Sequence, residues 1–324
     1  VFYFISGGRI FIYLLATTVT TYLATVKIGD MAAKNKIAFN EAKAELDKEG
    51  KKAWKAAFAK KKKRILIPTL LFNFGILAVL KYSGFVTENL NLLFAKIGIG
   101  TELPVFRFLL PLGISFYTFQ SMGYLIDVYR EKFEPERNPA KYALFVSFFP
   151  QLIQGPISFY DQLAHQLYAE RNFSYKNLKH GTLLMLWGYF KKMVIADRAV
   201  SLIQMVAPDY MQYNGTVIFI TVLVYALQLY ADFSGGIDIS RGFAEILGIE
   251  MAENFCRPYF AVSINDYWRR WHITLGAWLK NYVFYSLAMS KRFFKMGKNL
   301  KQKYGDYAVG AHIAKVLPAG IASF

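Results

Sequence analysis

Apolar residues along this chain fall in long runs separated by short charged stretches. Residues 10–28, 65–82, 106–128 and 215–233 each approach or exceed the roughly 18–20 residues that carry a helix across a ~30 Å hydrocarbon core. Shorter or proline-interrupted runs at 142–160, 181–190 and 282–289 predict re-entrant or half-spanning helices, because broken backbone is tolerated at membrane depth only where protein or a water-filled cavity satisfies it. The pattern therefore predicts an all-α polytopic membrane protein. Residues 1–104 form its N-terminal spans and residues 105–324 a second helical region.

Polar positions inside the runs refine this picture. Thr221, Tyr225, Gln228 and Asp232 follow one another by four, three and four residues, and Tyr117, Gln120, Tyr124 and Asp127 by three, four and three. Either spacing puts four polar groups on one helix face looking into the bundle, to hydrogen-bond between helices or to line a polar cavity. Two glycine-rich joints, 154–157 (QGPI) and 232–238 (DFSGGID), read as helix breaks, the second ending a span where Asp232, Ser234 and Asp238 converge. A broken helix with two carboxylates also suits a cation-coupled transporter. Against that class stands the lack of any visible repeat.

Composition agrees with membrane residence: 324 residues, 55% hydrophobic and 17% aromatic. The net charge of +17 would suggest nucleic acid in a soluble protein, but the Lys and Arg lie mainly between the apolar runs, so lipid is the expected partner and nucleic acid is not. Residues 27–64 hold thirteen Lys or Arg against five Asp or Glu, which places this segment as a basic cytoplasmic loop by the positive-inside rule. Its middle, 40–63, favours an exposed helix, and 83–102 then lies outside. Lys191, Lys192 and the six basic residues of 291–303 suit the cytoplasmic side as well. The one cysteine, Cys256, excludes an intramolecular disulfide and a cysteine-built zinc site, and no metal is expected. No cleavable signal peptide is visible, and the chain reads as a fragment cut at both ends.

Candidate chemistry concentrates in 265–276 (NDYWRRWHITLG), where His272 sits among Trp268, Arg269, Arg270 and Trp271 inside an otherwise apolar sequence. Ionisable residues at membrane depth cost about 2.5–3.5 kcal/mol each on insertion scales, so such a cluster reads as a functional site, with an interfacial Trp/Arg anchor as the alternative. A neutral imidazole is the usual general base near pH 7. If the segment is helical, Asn265, Trp268 and His272 share a face and Asp266 pairs with Arg270. Asp232 and Gln154 line a polar cavity or hold broken helices together. His165 and His180 read as loop residues and His312 as interfacial. Walker, GxSxG, HExxH and dinucleotide motifs are absent from the sequence.

Four ordered blocks carry a resemblance: 111–120 (PLGISFYTFQ) with 127–130 (DVYR), 148–156 (FFPQLIQGP), 230–235 (YADFSG) and 268–275 (WRRWHITL). Over about residues 110–279 the chain resembles the membrane-bound O-acyltransferase family, in the branch of alginate O-acetylases and teichoic-acid D-alanyl transferases. The resemblance implies a helical bundle around a central funnel, with residues 105–324 as an incomplete catalytic core. It further implies acyl transfer from a cytoplasmic thioester, acetyl-CoA or an acyl carrier protein, to an exported polysaccharide or an outward-facing partner protein, in the bacterial cytoplasmic membrane with no bound cofactor. His272 maps onto the required histidine, with Arg269 and Arg270 as oxyanion donors or orienters. The family's second histidine has no counterpart, so the chain alone is expected to be inactive.

Overall fold

The computed structural model describes residues 8–106 and 108–290, together with isolated positions 5, 293, 295, 298, 299 and 302. Among them regular structure is helical, and the one extended pairing is an isolated antiparallel bridge between Phe255 and Trp271. The helices are α1 (Phe11–Ala42), α2 (Lys48–Lys96), α3 (Ile114–Tyr129), α4 (Pro139–Val146), α5 (Phe149–Gln154), α6 (Tyr160–Tyr168), α7 (Tyr175–Tyr189), α8 (Asp197–Val206), α9 (Gly215–Ile246), α10 (Ile264–Arg270), α11 (Ile273–Trp278) and α12 (Tyr285–Ala288). Two π-helical segments, Phe190–Ala196 and Leu279–Phe284, join α7 to α8 and α11 to α12. Helices α1, α2 and α9 are long and apolar enough to cross a membrane, and the protein is an all-α membrane protein.

The chain divides into two compact units. One holds the residues up to Ile153 together with Phe159–Glu170, and the other holds Gln154–Ser158 and the chain from Arg171 onward.

In the first unit, the basic segment 27–64 is not a loop. Helix α1 runs on to Ala42, α2 starts at Lys48, and only residues 43–47 connect them. Alanine and lysine are strong helix formers, and Asp47 caps α2 by accepting the Gly50 N–H at 2.6 Å. Nor do all the basic residues face outward. Lys62 is buried and donates to the Tyr129 carbonyl at 2.9 Å and to Glu131, tying α2 to the end of α3. Residues 83–96, expected outside the membrane, continue α2 as helix. The apolar run 106–128 is likewise not one span. Gly113, at φ 71°, starts α3 where a Cβ would lie 2.4 Å from the Leu152 carbonyl oxygen, so only glycine fits there. The stripe Tyr117, Gln120, Tyr124 and Asp127 is buried as its spacing predicts. Its polar groups bond between elements: Gln120 donates to the Phe145 carbonyl at 2.9 Å and accepts from Gln151 at 2.8 Å, while the Tyr124 hydroxyl accepts the Glu136 N–H at 2.7 Å.

In the second unit, α7, the first π segment and α8 form one helical run over residues 175–206, so 181–190 is no half-span. Ser174 caps its start and Asn214 caps α9. The joint at 232–238 does not break the helix either, since α9 passes through it unbroken. Its glycines serve close packing instead. A Cβ on Gly188 would lie 2.6 Å from the Gly235 carbonyl oxygen, and one on Gly242 would lie 2.5 Å from that of Gly181. This glycine face, rather than the stripe from Thr221 to Asp232, meets α7. Thr221 is buried and bonds its own helix, while Tyr225 is 52% exposed.

The close approach also pairs charges. Buried Lys191 donates to Ser234 at 2.9 Å and to Asp238 at 2.7 Å, and Lys192 pairs with Asp232. The two lysines that interrupt the apolar pattern and the two carboxylates that suggested a cation site thus neutralise each other.

Candidate active site

The block around His272 is two short helices with a sharp joint. Ser263 caps α10 by accepting the Asp266 N–H at 3.1 Å, and the helix stops at Arg270 because Trp271 is extended and His272 left-handed, at φ 46° and ψ 52°. The cause lies in the preceding strand-like stretch. Trp271 bridges to Phe255, Cys256 donates its N–H to the Arg270 carbonyl at 2.9 Å, and Ile273 donates to the Asn254 carbonyl at 3.0 Å. A continuous helix would break these bonds. The shared face expected for Asn265, Trp268 and His272 is therefore not formed: Asn265, Trp268 and Arg269 are exposed, while His272 is partly buried. Arg270 is held by Asp266 at 3.0 Å, as their spacing predicts, and Arg269 is exposed.

A left-handed backbone at a residue with a Cβ costs of order 1–3 kcal/mol and is kept only where its surroundings enforce it. Here they do so through buried Asn254. Its Oδ1 accepts the Thr274 N–H at 2.9 Å and the Thr274 hydroxyl at 2.9 Å, and lies 3.2 Å from His272 Nδ1. The Thr274 hydroxyl in turn accepts the Ile157 N–H at 3.1 Å, which fastens the segment after Gln154 to the same knot. Around it, the Phe233 ring meets the imidazole edge-on at 4.9 Å and Phe255 lies parallel to it at 6.5 Å. Trp271 stacks on Tyr267 at 5.7 Å and meets Phe255 edge-on at 4.9 Å. His272 lies outside the three long apolar helices, and burial lowers its pKa to about 4, because the imidazolium loses hydration without gaining a charged partner. The ring is neutral at pH 7, with one nitrogen engaged and the other uncommitted.

The remaining sequence candidates are placed as follows. Asp232 is held by Lys192. Gln154 packs on α9, its Oε1 so close to Gly236 that a Cβ there would lie 1.9 Å away. His165 and His180 are exposed but lie on α6 and α7 rather than in loops, the first against the Asp161 carbonyl and the second against Glu245. His312 and most of 291–303 lie outside the described residues. Asn254 escaped sequence reasoning. An isolated Asn eighteen positions before His272 carries no periodic signal, and only the bridge at Phe255 brings the two together.

The segment 136–300, about half of the chain, matches the model of the membrane-bound O-acyltransferase family. The chain belongs to that family. Among curated proteins, it is 36% identical over 224 residues to the probable alginate O-acetylase AlgI of Pseudomonas aeruginosa, covering 69% of this chain and 42% of that protein. It is 35% identical to the peptidoglycan O-acetyltransferase of Helicobacter pylori, over 68% of this chain and 46% of that one. To the teichoic acid D-alanyltransferase of Bacillus subtilis it is 29% identical, over 53% and 44%. The chain thus spans less than half the length of the curated relatives it matches. His272 and Asn254 both fall within the O-acyltransferase segment.

Proposed function

We propose that the parent protein is a membrane-embedded O-acyltransferase of the bacterial cytoplasmic membrane that moves an acetyl group from a thioester to a hydroxyl of an exported polysaccharide, with His272 as general base. The observation that carries this reading is the neutral, partly buried imidazole locked by Asn254 inside the family segment. A hydroxyl with a pKa far above 7 needs its proton removed as it attacks. The acceptor oxygen forms a bond to the acyl carbon, its proton passes to Nε2 of His272, the carbon–sulfur bond breaks, and the departing thiolate takes that proton back as thiol. The donor is acetyl-CoA or an acyl carrier protein, and the acceptor is the glycan itself or an outward-facing partner protein. The basic end of the α1–α2 hairpin, with its run 60–64, suits the cytoplasmic face and anionic lipid.

Acetyl is favoured because the relatives named as acetylating enzymes match at higher identity than the D-alanyl transferase. The second reading, D-alanyl transfer from a small acidic carrier protein, draws on the basic helices flanking residues 43–47. Transport loses its sequence rationale now that Asp232 and Asp238 hold lysines.

The test is label transfer in membranes containing the full-length parent. Radiolabelled acetyl-thioester should give alkali-labile label on exported glycan that depends on His272. Label appearing only from a charged D-alanyl carrier would replace the first reading with the second. The pH profile has a definite sign. A depressed imidazole pKa keeps the base unprotonated further into acid, so the acid limb of kcat should fall well below the ordinary ~6.5 of histidine, towards 4. A limb at 6.5 or above would mean that the working imidazole is solvated.

A further inference from the structure

We propose that Asn254 is the positioning residue of His272, its amide oxygen holding the imidazole as the Nδ1–H tautomer so that Nε2 is left as the base. This deepens the general-base reading and rests on it.

The orientation of the amide is decided by its neighbours. The backbone N–H of Thr274 can only donate, so the Asn254 atom 2.9 Å away is the oxygen. An oxygen has no proton to give. The His272 Nδ1 that lies 3.2 Å from it therefore carries the hydrogen, and the lone pair of the neutral ring resides on Nε2. A second observation shows that this orientation is imposed. Asn254 is 1% exposed, and its Nδ2 has no hydrogen-bond partner among the described residues, so a buried N–H is left unsatisfied while the oxygen on the same amide serves three donors. Buried unsatisfied donors are uncommon in folded proteins and call for a reason. Holding the acceptor against the histidine supplies one. The main chain adds to the grip, since Asn254 accepts the Ile273 N–H through its carbonyl and pins the residue after the left-handed position, while its neighbour Phe255 bridges to Trp271 before it.

No charge does this work instead. On the elements packed around the ring, Asp266 is paired with Arg270, Asp232 with Lys192 and Asp238 with Lys191, while Arg257, Arg269 and Cys256 are exposed. The hold on the imidazole is that of a neutral amide. It orients the ring without raising its basicity as a carboxylate would.

The experiment uses the full-length parent in membranes, with Asn254→Asp, Asn254→Ala and His272→Ala assayed together. Asn254→Asp keeps the acceptor and adds a negative charge beside Nδ1, so the acid limb of kcat should move up by about 1–3 pH units while substantial activity survives above it. Asn254→Ala should lower kcat by roughly 10²-fold with little change in donor KM, because the ring is free to turn. An unmoved acid limb in Asn254→Asp, or activity in Asn254→Ala that falls only in proportion to lost protein, overturns the proposal. A measurement on the wild type covers the case in which the variants do not fold. In ¹⁵N-histidine-labelled protein at neutral pH, the His272 signals, assigned by their loss in His272→Ala, should show the proton on Nδ1, and a proton on Nε2 would refute the assignment. Full activity in His272→Ala would remove the general-base reading, yet the spectrum would still report whether Asn254 sets the tautomer.

Discussion

His272→Ala in the full-length parent is expected to lower kcat for acyl transfer about 10²–10⁴-fold, the usual contribution of a positioned general base. Donor KM should stay within about twofold, because the interaction removed is made in the transition state rather than in the ground state. The substitution carries one structural complication: position 272 has a left-handed backbone, which alanine adopts no more readily than histidine. His272→Asn removes this ambiguity, since Asn tolerates that conformation better than most residues and lacks a base. Both variants should therefore lose activity together while the Asn variant stays at wild-type abundance. Retention of rate in either, measured as label on the acceptor per mole of folded protein, would exclude His272 as the base. His165→Ala and His180→Ala serve as controls, because both rings are exposed and neither belongs to the Asn254 knot.

Gly242→Val is expected to prevent assembly of the second unit without touching the chemistry directly. A Cβ at 242 would lie 2.5 Å from the Gly181 carbonyl oxygen and 2.9 Å from the Met185 backbone nitrogen, so the obstacle is main chain that cannot rotate away. Overpacking a tight contact costs typically about 1–3 kcal/mol even where side chains give. Here α7 and α9 would have to separate, and their separation would also strain the Lys191–Asp238 and Lys192–Asp232 pairs. Size-exclusion profiles and thermal denaturation of the detergent-solubilised parent would read the effect as loss of the monodisperse species. Gly75→Ala is the contrasting case. It lies inside α2 with nothing within 4 Å of a new Cβ, so it should be neutral or stabilise by up to about 1 kcal/mol. A Gly242 variant as stable as wild type would show that the two helices do not meet through their glycines.

These residues also show what the sequence makes legible. Long apolar runs announce membrane helices because the hydrocarbon thickness fixes their length, and the stripe on α3 is read correctly because a 3.6-residue period maps directly onto one face. Glycine misleads. In 232–238 it looks like a break, yet whether it ends a helix or lets another helix approach depends on the partner's sequence opposite, here Gly181 and Gly188. Charge is legible only in part: Lys191 and Lys192 stand out in an apolar stretch, but their pairing with Asp238 and Asp232 emerges only once the two helices meet. At the site, His272 is marked out in the sequence by its aromatic and basic neighbours. Its departure from the helix is not, because that departure is enforced by Phe255 and Asn254, whose pairing with 271–274 is a non-local event.

The two lysine–aspartate pairs bear on how the protein enters the bilayer. A segment that places two uncompensated charges in hydrocarbon faces a cost of about 2.5–3.5 kcal/mol for each, and both halves of this helix pair carry such charges. Presented one after the other to the insertion machinery, each would be a poor passenger. Presented together, the ammonium and carboxylate groups cancel and the glycine faces close. Packed as a pair, residues 175–246 would therefore meet a lower charge cost in the bilayer than either half would alone.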